Sequence, residues 1–155
     1  MKPRSADQPF GADFWSAYVA NLSLMVAFSA MFRYADFVTC LGGGEYELGW
    51  IVGVGMLGSI SMRVFQGVGI DRYGAGRVWL ASLSLMIASL LAHLVIHDVH
   101  SIWVYLVRIL YTISLAGAFG ASITFISLRA PRHRTAEVIG SLGSSGFIGM
   151  ALGPT

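Results

Sequence analysis

The chain has 155 residues, 55% of them hydrophobic and only 12% charged, with a formal net charge of +2. A soluble domain carries about a quarter charged residues, so water is excluded as the only solvent, and the length suffices for roughly four to five membrane spans of ~20 residues. The small positive balance restates the basic connectors described below and gives no indication of nucleic acid as a partner.

The first charge-free run, Phe14 to Phe32, predicts a span over 14–32. A secretory signal competes for this segment, because Lys2 and Arg4 precede it and small residues at Ala27, Ser29 and Ala30 close it. The run is longer than a signal core, and polar residues separate it from the basic pair, so an uncleaved span is expected. Further spans are predicted over 48–66, 78–96 and 102–128, the last of them overlong, and the start of a fifth over 138–155. None shows the polar stripe that a soluble helix of that length would carry. The fold class is therefore an all-α, multi-spanning membrane helix bundle, with residues 1–155 as a single transmembrane domain in contact with the lipid bilayer. Trp15, Trp50, Trp79 and Trp103 fall near span ends, as an interfacial aromatic belt places them.

The connectors carry nearly all the charge. Of the ten Lys and Arg, eight (Lys2, Arg4, Arg63, Arg72, Arg77, Arg129, Arg132 and Arg134) fall in the tail and in or beside the second and fourth connectors. Arg33 alone falls in the first connector, beside Asp36, Glu45 and Glu47, and the third has none; the tenth, Arg108, lies inside a run. The positive-inside rule then puts the N-terminus in the cytoplasm of a multi-pass protein of the cell (inner) membrane, with odd-numbered spans running outward. Asp36 is expected in the outer loop, and Arg63 is expected to snorkel to the cytoplasmic surface.

Cys40 is the one cysteine and forms no internal disulfide. His97 and His100 flank a short outer turn and His133 sits among arginines, so no histidine or cysteine group has metal-site spacing. No cofactor, metal or catalytic constellation is expected, and the chain does not read as an enzyme. The stretch "GVGMLG", Gly53 to Gly58, matches the dinucleotide pattern G-x-G-x-x-G with Asp71 further on. That chemistry needs a strand before the glycines and another leading to the acid, whereas these glycines sit inside an uncharged run. Gly49 with Gly53, and Gly55 with Ser59, instead repeat at the small-x-x-x-small interval of packed membrane helices.

The second connector, within "FQGVGIDRYGAGRVW", must reverse the chain in few residues. Gly67, Gly69, Gly74 and Gly76 are expected to supply the turn. They do not account for Asp71, the only acid between Glu47 and Asp98. It is either a solvated surface group or, in a crevice at the mouth of a bundle, a charge that holds a conformation.

Here the residues resemble the major facilitator superfamily of secondary transporters. Its signature between spans two and three, G-x-x-x-D-[RK]-x-G-[RK]-[RK], is met by Gly67, Asp71, Arg72 and Gly74. Ala75 and Gly76 stand where two basic residues are usual, and Arg77 follows one place later. The resemblance implies that Asp71, Arg72 and Arg77 latch the cytoplasmic helix ends as a gate without touching solute. The end of the chain, "GSLGSSGFIGMALGPT", is similar to the fifth-span signature of proton-driven exporters, met by Gly140, Gly149, Gly153 and Pro154. Small residues on a packed span account for it equally, with the glycines at 140, 143, 146 and 149 as a bare face for helix contact and Pro154 permitting a kink.

Arg108 lies about 9 Å inside the outer edge of its run. It is a candidate for solute or proton coupling, with snorkelling to the interface as the alternative; the superfamily often has a glycine four residues after such an arginine, and here that residue is Thr112. The resemblance implies alternating-access transport of a small molecule, with proton-coupled export as its finer form. It also implies two six-helix halves, of which this chain supplies the N-terminal part, a truncated portion of about a third. A small, non-transporting multi-span protein packed against partner helices is the reading from another class.

Overall fold

The computed structural model describes residues 10–153. Lys2, Arg4 and Pro154 lie outside them. The elements in order are α1 (Ala12–Ala30), a 3-10 turn (Met31–Arg33), α2 (Tyr34–Cys40), α3 (Glu45–Tyr73), α4 (Ala75–His93), α5 (Ile102–Ser127), a second 3-10 turn (Arg132–Arg134) and α6 (Thr135–Leu152). Among the described residues four stretches are long and apolar enough to cross a membrane: Ala12–Cys40, Glu45–Tyr73, Ala75–His93 and Ile102–Ser127.

The helices run past the charge-free cores expected for them. Charge ends a hydropathy run, but it does not end a helix, whose hydrogen bonds continue into water. Asp36 therefore lies in α2 and not in a loop, paired with Arg33 one turn back at 2.8 Å. Helix α3 starts where Gly44 donates its backbone N–H to the Glu47 carboxylate at 2.8 Å. Glu45 and Glu47 in its first turn complement the helix dipole. At the other end the "GVGIDRY" segment is helical through Tyr73, which corrects the expectation that Gly67, Gly69, Gly74 and Gly76 share the turn. Gly74 makes it alone, at φ +84° and ψ 145°, a conformation closed to other residues.

The chain divides into two compact units, residues up to Ala30 with Ser122 onward, and Met31–Ala121. In the first, α1 and α6 run parallel, since Asp13 meets Arg129, Tyr18 meets Ser144, Asn21 meets Ser145 and Met25 faces Gly149. In the second, α3 and the adjoining part of α5 run parallel through Gly55 against Arg108, Gly58 against Ile109 and Gly120 against Gln66. Helix α4 runs antiparallel to that part of α5, with Ser82 facing Gly117 and the Ser114 hydroxyl on Met86 Sδ at 3.3 Å. Tyr34, Val38, Ile51, Val99 and Val104 form a buried apolar cluster in this unit.

Small polar residues are mixed into the apolar interior, and large apolar side chains line the outer surface. Asn21, Ser29, Ser82, Ser89, His93, Ser114, Ser122 and Ser145 are buried, while Val64, Phe65, Leu80, Ile87, Leu91 and Phe147 are exposed. Small and hydroxylated residues let helices approach and bond to one another, and the large apolar side chains are left for lipid. Helix α5 shows this most plainly: Val104, Val107, Tyr111, Ser114, Ala118 and Ala121 form the buried stripe, with Leu106, Leu110, Phe119 and Ile123 outside it. A hydropathy scan cannot see such a stripe, because both faces of the helix are apolar.

Candidate functional site

The signature residues gather at the junction of α3 and α4. Gly67 has open space around it, Asp71 and Arg72 stand in the last turn of α3, Gly74 turns the chain, and Arg77 opens α4. Asp71, Arg72 and Arg77 are all exposed. The Arg72 guanidinium sits 5.4 Å from the centroid of the neighbouring Tyr73 ring. Asp71 has no ion-pair partner among the described residues. An acid in the last turn faces the negative end of the helix dipole, an unfavourable place worth about 0.3–1 kcal/mol, so helix stability does not explain its presence.

In the second unit the half-buried Arg108 side chain lies against two tyrosines. Its guanidinium carbon lies 4.1 Å from the ring centroid of Tyr34 and 5.2 Å from that of Tyr111. Nε and Nη1 are buried without a hydrogen-bond partner among the described residues. The seat for this long side chain is Gly55, where a Cβ would stand 2.6 Å from Arg108 Cγ. One turn on, Thr112 donates to the Gly55 carbonyl at 2.5 Å. A Cβ at Gly58 would stand 2.6 Å from the Ile109 carbonyl oxygen. On α3 the glycines that meet α5 are thus Gly55 and Gly58, whereas Gly49 and Gly53 have nothing within 4 Å.

His93 joins this cluster from α4. It is buried, and its Nδ1 donates to the Ser89 carbonyl at 2.7 Å. Its ring meets Tyr34, Phe37 and Tyr111 edge-on, at centroid distances of 5.7, 5.9 and 6.2 Å. Deeper along the same seam, Gln66 donates to the Gly117 carbonyl at 3.2 Å, its amide lying where a Gly120 side chain would be. Sequence reasoning singled out none of Tyr34, His93, Tyr111 and Gln66. His93 was visible as an ionisable residue within the run 78–96; the tyrosines carried no signal, since the same residues also mark membrane interfaces.

In the first unit the glycine motif divides. A Cβ at Gly149 would stand 2.5 Å from Met25 Cβ and 2.7 Å from the Leu22 carbonyl oxygen, and one at Gly153 would overlap the Ser29 hydroxyl. Gly140 and Gly143 have nothing within 4 Å and are not part of the contact. Residues three apart drift around a helix of 3.6 residues per turn, so the stripe against α1 is Leu142, Ser145, Gly146, Gly149 and Gly153 rather than glycines at every third position. Beside it, Asn21 donates to Ser145 Oγ at 2.8 Å.

Long apolar helices with many large apolar side chains exposed on their outer faces define an integral, multi-pass membrane protein. The family model of the Major Facilitator Superfamily matches residues 2–154, and the chain belongs to that superfamily of membrane transporters. No curated protein and no solved structure matches the chain.

Proposed function

We propose that this chain forms the first spans of the N-terminal half of a secondary carrier that moves a small solute by alternating access. Asp71, Arg72 and Arg77 act as its cytoplasmic gate. The observation that supports this best is Asp71: an exposed acid without an ion pair among the described residues, held against the helix dipole, beside the one glycine that joins two long spans. Such a charge is poised to pair in another conformation. The Lys and Arg distribution supports a cytoplasmic side for this junction and the N-terminus, in the cell (inner) membrane. Proton-coupled export is the finer reading, supported by Gly149 and Gly153, two of the fifth-span signature residues, which seat α6 on α1. Arg108 serves solute or proton coupling, supported by its place against Tyr34 and Tyr111.

Asp71→Asn tests the gate, because it keeps the side-chain size and removes the charge-assisted part of its hydrogen bonds. Losing about 1–3 kcal/mol of bias between states shifts their ratio about 5- to 150-fold. In the completed, full-length carrier, transport should collapse while equilibrium solute binding holds, both measured on the same purified variants, and Arg72→Lys should do less harm than Arg72→Ala. A wild-type transport rate in Asp71→Asn refutes the gate. Loss of both transport and binding reassigns Asp71 to solute contact or folding.

A second reading, a multi-span protein that packs against partner helices, is favoured by the uncovered face of α3. There Gly49 and Gly53 floor an open groove of about 590 Å³ beside Tyr46 and Trp50. Cross-linking from a cysteine at Gly53 to another helix, without any solute transport, would support it.

A further inference from the structure

Tyr34, His93 and Tyr111 are more than nine-tenths buried, at 5%, 4% and 2% exposure. Each keeps one polar atom without a partner among the described residues: the two phenol oxygens and His93 Nε2. Tyr34 and Tyr111 lie against the Arg108 guanidinium, whose Nε and Nη1 are in the same condition, and His93 packs on both tyrosine rings. Five such atoms in one cluster are unusual, since buried polar groups in proteins are nearly always bonded. The cluster is also charged, because a guanidinium does not deprotonate in a protein.

No acid of this unit compensates that charge. Asp36 pairs with Arg33, Glu47 accepts from the Gly44 backbone, and Glu45, Asp71 and Asp98 are exposed. The tyrosine faces offer cation–π attraction, which is far weaker than a desolvated ion pair. A buried charge left unpaired is costly, so the cluster fits an anion better than it fits a role in packing.

We propose that Arg108, Tyr34, Tyr111 and His93 bind the carboxylate of a small monocarboxylate, the solute class of the carrier proposed above, on which this assignment rests. One cation matches one negative charge, whereas a phosphate dianion leaves a net negative charge in a low-dielectric interior. Tyr34 and Tyr111 lie against the guanidinium, so the carboxylate approaches in the guanidinium plane, where an unpaired N–H donates. Both phenol hydroxyls donate to the same oxygens. With Nδ1–H committed to the Ser89 carbonyl, His93 Nε2 accepts from a hydroxyl of the solute.

Isothermal titration calorimetry on the purified full chain in detergent tests the site, with sodium lactate, benzoate, phosphate, glucose and choline chloride at one ionic strength. Lactate or benzoate should bind, and phosphate, glucose and choline should not. Arg108→Met should remove carboxylate binding. Tyr34→Phe and Tyr111→Phe, which keep the rings and the fold, should each weaken it about tenfold, the effect of one hydrogen bond to a charged group. Helical circular dichroism confirms that each variant is folded. Absence of carboxylate binding by the wild type, equal binding of glucose or phosphate, or carboxylate affinity unchanged by the tyrosine substitutions overturns the proposal. Carboxylate binding by the chain, with no labelled carboxylate moved into phosphatidylcholine–phosphatidylglycerol vesicles by the complete two-half carrier, supports the site and sinks the carrier reading. Transport of a neutral solute at the wild-type rate by the complete carrier bearing Arg108→Met supports the carrier and overturns the site.

Discussion

One substitution, Gly→Ala, should have opposite consequences at neighbouring positions of α6. At Gly143 an added methyl meets nothing within 4 Å. The change then gains only helix propensity, about 1 kcal/mol. At Gly149 the same methyl stands 2.5 Å from Met25 Cβ and 2.7 Å from the Leu22 carbonyl oxygen, where carbon atoms need about 3.5–4.0 Å. Helices α1 and α6 must then separate, and overpacking of this kind costs about 1–3 kcal/mol. The propensity gain is common to both variants and cancels in their difference, so Gly149→Ala should be less stable than Gly143→Ala by about 1–3 kcal/mol. Gly146→Ala should track Gly143→Ala, because its methyl would meet Met25 Cγ at an ordinary 3.7 Å. Met25→Ala should not rescue Gly149→Ala, since the overlap is with Met25 Cβ and the α1 backbone. Reversible titration with sodium dodecyl sulfate in mixed micelles, followed by circular dichroism, measures the difference. Equal stability of the two variants within about 0.5 kcal/mol, the usual range for an uninvolved position, refutes the close approach of α1 and α6.

Gly74→Ala should lose about 1–3 kcal/mol in the same titration, because only glycine takes φ +84° with ψ 145° without strain, and Gly67→Ala should be neutral or gain up to about 1 kcal/mol as a helix-interior change; equal effects at the two sites would return the turn to all four glycines. For the orientation, exposed Cys40 should react with an impermeant thiol reagent from outside intact cells. A cysteine at exposed Tyr73 should react only after permeabilisation, a better probe than Ala75, which is 5% exposed. The reverse pattern would overturn the cytoplasmic placement of the α3–α4 junction.

The bundle of membrane helices and its family were legible in the residues themselves. Charge-free runs of span length and a short signature around Asp71 are local properties, and the cost of burying charge in hydrocarbon leaves few alternatives for such a pattern. The helix ends were less legible, because Asp36, Asp71 and Arg72 break a hydropathy run without breaking backbone hydrogen bonds. Only the tertiary structure decided which glycines matter. Gly49 and Gly55 look alike in sequence, as do Gly143 and Gly149, and only the neighbouring helix determines which of each pair has room for a methyl. The same holds for the cluster around Arg108. Tyr34, His93 and Tyr111 come from three helices scattered along the chain, and no spacing rule links them. Their common environment exists only once α3 meets α5 at Gly55 and α4 crosses alongside, since polar atoms become unpaired by being enclosed together, and enclosure is a property of the fold.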